Sequence, residues 1–193
     1  MSAVARELRL LPNQLTAARL LLVPVLWVAA LLGQSRIVGI GLALAFLSDW
    51  ADGFVARRLQ VSSPFGSKLD SIADGLIVPS GVAWLLLLQP AALLDHRVIA
   101  LTWFVLTYAS IGVGLVKFRR YANLHLRSAR IACVFQYAFV VDALVAPPYV
   151  PVLLYAAASL GIISSLEALV LQLARSEVDE HQGSLLLASR RGS

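Results

Sequence analysis

The sequence predicts an all-α membrane protein with six transmembrane helices and a short N-terminal juxtamembrane segment. Of its 193 residues, 59% are hydrophobic and only 14% are charged. A soluble domain is about 45–50% apolar and about 25% charged, so this composition favours lipid as the main solvent. A helix that crosses a bilayer needs about 20 mostly apolar residues. The chain offers six such stretches, near residues 14–33, 37–57, 68–88, 98–117, 130–147 and 149–173.

Turn-forming or charged segments separate these stretches, for example Ser62-Ser63-Pro64 and Pro147-Pro148. We expect one membrane domain over residues 1–175 and a polar cytoplasmic tail over residues 176–193. No A-x-A cleavage pattern follows the first apolar stretch, so we do not expect a removed signal peptide. The single cysteine, Cys133, lies in an apolar run and is interpreted as a small buried hydrophobic residue.

The distribution of basic residues predicts the orientation of the six spans, because Lys and Arg are enriched in cytoplasmic loops. One side would have only Arg36 and Arg97 in its loops. The other side would carry the remaining loop and terminal basic residues, so both termini should be cytoplasmic. The net charge of +5 then reflects a surface suited to anionic headgroups and phosphates. No soluble domain or base-stacking motif supports nucleic-acid binding.

Four aspartates stand at the cytoplasmic ends of the second and third predicted spans. Asp49 and Asp52 have i,i+3 spacing and Asp70 and Asp74 have i,i+4 spacing, so each pair lies on one helix face. A short connection lets the two helices pack antiparallel, so the pairs can converge. Carboxylates within a membrane are costly and by default indicate function. Four close together repel one another, and hard divalent cations such as Mg²⁺ relieve that repulsion through oxygen ligation. The alternative is that each Asp caps a helix end near the membrane surface.

Residues between the two aspartate pairs also suit a phosphate-containing ligand. Gly53 has no side chain, so a ligand can approach the backbone closely there. Arg57 can pair bidentately with phosphate. Ser63 precedes the third span, where its hydroxyl either binds substrate or caps the helix. Arg57 and Arg58 have the alternative of anchoring the helix at the membrane edge.

The pattern Asp49-x-x-Asp52-Gly53-x-x-Ala56-Arg57, followed by Gly66-x-x-x-Asp70-x-x-x-Asp74, resembles the signature of the CDP-alcohol phosphatidyltransferase family without a departure. Chain length and the six predicted spans are also similar to that family. A weaker similarity lies at the start of the first span, in Leu11-Pro12-Asn13-x-x-Thr16-x-x-Arg19. It is similar to the start of bacterial members that make phosphatidylglycerophosphate.

The resemblance implies a specific reaction and assigns roles to the matching residues. Members move a phosphoryl-linked group from a CDP-linked donor to an alcohol with release of CMP, using Mg²⁺ or Mn²⁺, and are usually homodimers. The donor here would be CDP-diacylglycerol, and its acyl chains would lie among membrane lipids. The implied ligands of two metal ions are Asp49, Asp52, Asp70 and Asp74, with Asp74 also the general base. The implied contacts with the CDP part are Asn13, Thr16, Gly53, Arg57, Ser63 and Gly66. A multi-pass protein of a bacterial plasma membrane, with a cytoplasmic active site, is expected.

The acceptor alcohol is open to several interpretations. The loop between the fourth and fifth spans is basic, which suits a phosphate-bearing acceptor such as glycerol 3-phosphate or inositol phosphate, or follows from topology alone. Ser71 stands where phosphatidylglycerophosphate synthases usually have Pro and phosphatidylserine synthases often have Ser, so serine is a further alternative. We take glycerol 3-phosphate as the leading acceptor. The candidate acceptor-binding residues are Lys117, His125, Arg127 and Arg130.

Two other acids lie within predicted spans. Asp142 lies near the far end of its span, and we expect Glu167 to pair with Arg19. Intramembrane acids also line ion pathways, so a cation transporter is the alternative from another functional class. The clustering of the four motif aspartates at one face of the membrane, together with Arg57, favours the transferase.

Overall fold

The structure, a computed structural model, describes residues 11–59, 64–118 and 127–174, and most of these residues are helical. Side chains are described within these ranges except at 11–13, 52–59, 64–65, 67, 118 and 127. The described residues form seven helices and no strand, which confirms the predicted all-α fold. The helices are α1 (Leu11–Leu31), α2 (Ser35–Leu59), α3 (Pro64–Leu88), α4 (Ala91–Leu94), α5 (Arg97–Phe118), α6 (Arg127–Val145) and α7 (Pro151–Ala174).

Five of these helices contain a segment that is long and apolar enough to cross a membrane. The segments are Gln14–Leu31, Lys68–Leu88, Arg97–Lys117, Ser128–Val145 and Pro151–Ala174. Helix α2 has 25 residues but is not among them, and four of the residues in its C-terminal half, Asp49, Asp52, Arg57 and Arg58, are charged. The structure therefore confirms five of the six predicted spans by length and composition, and the six-span count is not confirmed.

The chain divides into two compact units. Within the described residues, the first unit holds α1, α2, α3 and the end of α6 from Val140, and the second holds α4, α5, the rest of α6 and α7.

In the first unit, α1 packs against both α2 and α3, while α2 and α3 contact each other over a shorter stretch. Leu26, Leu42, Ile77 and Trp84 are among the buried residues of this core. Gly39 of α2 faces the end of α6, where an added Cβ would lie 2.9 Å from the Cβ of Leu144. Helix α1 thus contacts both of the helices that carry the motif aspartates.

In the second unit, α5 packs against α7. The hydroxyl groups of Thr107 and Ser165 lie 3.1 Å apart across this contact. Gly161 of α7 lies against the side chains of Trp103 and Gln136, so the absence of a Cβ permits a close approach there. Small residues at helix contacts are typical of membrane bundles.

Candidate metal centre

Three of the four motif aspartates converge in the first unit. Asp49 comes from α2, and Asp70 and Asp74 come from successive turns of α3. One carboxylate oxygen from each lies within 4.8 Å of the others, which is close enough for the three to share a metal ion. Their side chains are about half exposed, at 43%, 46% and 53%. The predicted convergence of the two helix ends is therefore confirmed for these three residues.

A buried arginine from α1 lies among these carboxylates. The Nη1 atom of Arg19 lies 2.6 Å from Oδ1 of Asp49, 3.3 Å from Oδ1 of Asp70 and 3.4 Å from Oδ1 of Asp74. The arginine side chain is only 1% exposed. Thr16, one turn earlier on α1, is also buried at 4% exposure. The i,i+3 spacing of Thr16 and Arg19 directs both side chains to one face of the helix.

The charges of this cluster do not balance among the described side chains. Three carboxylates face one guanidinium group, so the ionised cluster keeps an excess of negative charge. Like charges at this separation disfavour one another unless cations neutralise them. Carboxylate oxygens are the ligands that Mg²⁺ and similar hard ions prefer. The composition, spacing and partial exposure of the cluster therefore fit a divalent metal.

The other candidate donor-site residues are only partly described. Asp52, Gly53 and Arg57 lie on α2, but their side chains are outside the described part of the structure. Gly66 is half-buried in the first turn of α3. Asn13 lies in the first turn of α1 with its side chain outside the described part, and Ser63 lies between the described ranges.

Of the candidate acceptor-binding residues, Lys117, Arg127 and Arg130 lie in described helices of the second unit. The Nζ atom of Lys117 donates to the backbone carbonyls of Gln172, at 2.6 Å, and Leu173, at 3.3 Å. A cation at this position satisfies carbonyl groups at the C-terminal end of α7 and interacts favourably with the helix dipole. Arg130 is exposed on α6. Arg127 begins α6 with its side chain outside the described part, and His125 precedes the described range.

The role of Arg19 is the feature of the site that the sequence did not indicate. The structure gives Arg19 three carboxylate partners in the aspartate cluster. The sequence led us to expect a pairing of Arg19 with Glu167, which stays a prediction. Glu167 accepts a hydrogen bond of 2.5 Å from the Ser128 hydroxyl. The available signal was the isolated charge at Arg19 in an otherwise apolar helix, one turn after Thr16.

The profile of the CDP-alcohol phosphatidyltransferase family matches residues 9–170. The chain belongs to this family. The match covers four of the five apolar segments completely and the fifth as far as residue 170, and the chain is an integral membrane protein. The family uses a divalent metal, and the cluster of Asp49, Asp70 and Asp74 is suited to hold one.

Several curated proteins are similar to part of the chain. It is 40% identical over 82 residues to the CDP-diacylglycerol–glycerol-3-phosphate 3-phosphatidyltransferase of Pseudomonas fluorescens, which covers 41% of each chain. The protein of the same name from Rickettsia felis is 35% identical over 79 residues, or 39% of this chain and 44% of the relative. A cardiolipin synthase (CMP-forming) from Oryza sativa subsp. japonica is 40% identical over 76 residues, or 37% of this chain and 23% of the relative. The chain thus spans less than half the length of these relatives. No solved structure matches the chain.

Proposed function

We propose that the protein is a phospholipid-biosynthetic transferase that moves a phosphatidyl group from CDP-diacylglycerol to an alcohol and releases CMP. The observation that carries the proposal is the convergence of Asp49, Asp70 and Asp74 within 4.8 Å in a chain of this family. An amphiphilic donor also requires a site beside lipid, and apolar membrane helices provide that environment.

Four residues would hold two divalent ions, Mg²⁺ or Mn²⁺. They are Asp49, Asp52, Asp70 and Asp74. When bound, the ions would neutralise phosphate charge and favour displacement at phosphorus. Asn13, Thr16, Gly53, Arg57, Ser63 and Gly66 would contact the CDP part of the donor.

Asp74 is the proposed general base. It is the most exposed of the three described aspartates, at 53%, so an acceptor hydroxyl can reach it. Asp74 would take the hydroxyl proton as the acceptor oxygen forms a bond to the phosphorus that carries diacylglycerol. The bond between that phosphorus and the bridging oxygen of CMP breaks, and CMP leaves with the bonding electrons. Because such reactions depend mainly on positioning and charge neutralisation, a charged helical site is sufficient.

Glycerol 3-phosphate is the proposed acceptor, with serine and inositol phosphate as alternatives. Two relatives described above are named for transfer to glycerol 3-phosphate, and both match this chain over about two fifths of its length. A phosphate-bearing acceptor also suits the basic residues Lys117, His125, Arg127 and Arg130. The capping contacts of Lys117 with α7 commit part of its hydrogen-bonding capacity, so Arg130, which is exposed, is the stronger candidate of the described residues.

The proposed topology has six spans, with α2 as the second. Both termini and the aspartate cluster would face the cytoplasm of a bacterial cell, because most of the basic residues flank that side. Residues 1–175 would form the membrane domain, and residues 176–193 a polar tail. We also propose that the enzyme is a homodimer.

The test is an assay of purified protein with labelled CDP-diacylglycerol, Mn²⁺ and a panel of alcohols. The proposal expects CMP release and a new lipid only with one acceptor, glycerol 3-phosphate. Product with serine or inositol phosphate alone would revise the acceptor and leave the reaction class intact. Protein that binds metal but releases no CMP with any alcohol would contradict the transferase, and metal uptake by sealed vesicles would then identify a cation transporter.

A further inference from the structure

We infer that Arg19 is the resident counter-ion of the aspartate cluster, and that its guanidinium group competes with a divalent metal for the carboxylates. Arg19 would therefore set the metal affinity of the site. This inference rests on the proposed metal site, because it concerns how the same carboxylates are shared between two kinds of cation.

The contacts of Arg19 with the three described aspartates all involve one nitrogen atom. Nη1 lies between 2.6 and 3.4 Å from one oxygen of each of Asp49, Asp70 and Asp74. Those three residues also form the group whose oxygens are close enough together to hold a metal ion. The guanidinium nitrogen and a metal ion would therefore compete for the same carboxylates. Two cations cannot both occupy the centre of such a cluster without strong mutual repulsion.

The burial of Arg19 explains why its guanidinium group requires the carboxylates as partners. Its side chain is 1% exposed, and a buried charge is stable only when it is paired. The aspartates are about half exposed, so their carboxylates remain accessible to ions. The positive charge of Arg19 thus occupies the centre of the three carboxylates that a metal ion would use, while their exposed fraction keeps them accessible to that ion.

A different role for Arg19 predicts the opposite change in metal affinity. If the arginine only positions the carboxylates, its removal would let them separate and would weaken metal binding. If it competes with metal, removal of its charge strengthens binding. The direction of the change in Mn²⁺ affinity therefore distinguishes the two roles.

The experiment measures Mn²⁺ binding to purified protein by the electron paramagnetic resonance signal of free Mn²⁺. The variants are Arg19→Gln, which removes the charge, and Arg19→Lys, which keeps it. Arg36→Gln is the matched control, because Arg36 is an exposed arginine of α2. We expect Arg19→Gln to lower the Kd for Mn²⁺ by about tenfold, since contacts to half-exposed carboxylates are individually modest. Arg19→Lys should stay near the wild-type Kd, and Arg36→Gln should not change it.

A second measurement uses the wild-type protein and does not depend on the folding of a variant. Arginine side chains labelled with ¹⁵N are observed by NMR with and without Mg²⁺, and the Arg19 signal is assigned by its loss in Arg19→Lys. We expect the Arg19 signal to shift on saturation with Mg²⁺ while the Arg36 signal does not. An unchanged Arg19 signal in metal-saturated protein, or weaker Mn²⁺ binding by Arg19→Gln, would overturn the inference. Wild-type protein that binds no Mn²⁺ would instead contradict the proposed metal site itself.

Discussion

The Nη1 atom of Arg19 lies 2.6 Å from Oδ1 of Asp49 and so joins α1 to the aspartate-bearing end of α2. This ion pair makes the first helix part of the site, although α1 contributes none of the four motif aspartates. Helix α1 also packs against both α2 and α3 in the first unit. The charged cluster is thus built from three helices.

The position of α2 in the membrane is the first point to test. If α2 is a span, Gln34 and Ser62, which flank it, lie on opposite sides of the membrane. In a Cys133→Ala background, Gln34→Cys should react with an impermeant thiol reagent from outside intact cells. Ser62→Cys should react only after the cells are opened. Reaction of both positions from the same side would show that α2 does not cross the membrane, and would contradict the six-span topology.

Replacement of Asp74 and replacement of Arg57 should impair different steps, turnover for Asp74 and donor binding for Arg57. Asp74→Asn keeps the size of the side chain but removes the base, so donor binding should persist. Its single-turnover rate should fall by about 10²–10⁴-fold. Arg57→Ala should mainly weaken binding of CDP-diacylglycerol, because a charge-assisted contact with the donor phosphates is lost. Arg57→Lys should restore binding only in part, since an ammonium group lacks the planar fork of arginine.

Donor affinity and single-turnover rate, both at saturating metal, separate these two effects. Val78→Ala is a suitable control, because it changes an exposed residue of the same helix as Asp74. Near-normal single-turnover chemistry in Asp74→Asn would show that the base lies elsewhere, and His125 would be the next residue to replace.

We expect two basic residues of the second unit to have different roles, acceptor binding for Arg130 and helix stabilisation for Lys117. Arg130→Gln should raise the KM for glycerol 3-phosphate about tenfold, because a charge-assisted contact to phosphate would be lost. Lys117→Gln should instead lower the unfolding temperature, since a cation at the end of α7 stabilises that helix by about 0.3–1 kcal/mol. The comparison requires KM and thermal unfolding for both variants. Equal increases in KM would assign Lys117 to the acceptor as well.

Two glycines provide a matched test of the helix packing. An added Cβ at Gly39 would lie 2.6 Å from Cγ2 of Val145, whereas one at Gly112 meets nothing within 4 Å. Gly39→Ala should therefore destabilise the protein by about 1–3 kcal/mol through overpacking. Gly112→Ala should be neutral or slightly stabilising, because alanine favours a helix over glycine. Thermal unfolding in detergent measures both, and equal stability of the two variants would contradict the close contact of α2 with the end of α6.

The convergence of the aspartates could be predicted because its information is local. Spacings of three and four residues place each pair on one helix face, and the short connection brings the helix ends together. Five apolar helices could also be predicted, because the length and hydropathy of an apolar run are local properties of the sequence. Composition could not confirm the sixth, because the charged residues that suggest a site in α2, such as Asp49 and Asp52, also interrupt its apolar character.

The partners of Arg19 and Lys117 could not be predicted because they depend on long-range packing. Arg19 is 30 residues from Asp49 and 55 from Asp74 in sequence, and no periodicity links those positions. Lys117 lies 55 residues from Gln172, whose carbonyl it contacts, so its basic charge suggested only loop topology or phosphate binding. Such contacts follow from which helices pack together, here α1 against α2 and α3, and α5 against α7.

The most direct test of the account is whether the aspartate cluster supports metal-dependent phosphatidyl transfer. The measurement is incorporation of labelled glycerol 3-phosphate into extractable lipid, with CDP-diacylglycerol and increasing Mn²⁺, after removal of metal by chelation. Wild-type protein should regain activity as Mn²⁺ is added. The control variant Asp95→Asn, which replaces an exposed aspartate outside the cluster, should do the same. Asp49→Asn and Asp70→Asn should remain inactive at every concentration. Transfer by the wild type without metal, or normal transfer by Asp49→Asn or Asp70→Asn, would contradict the account.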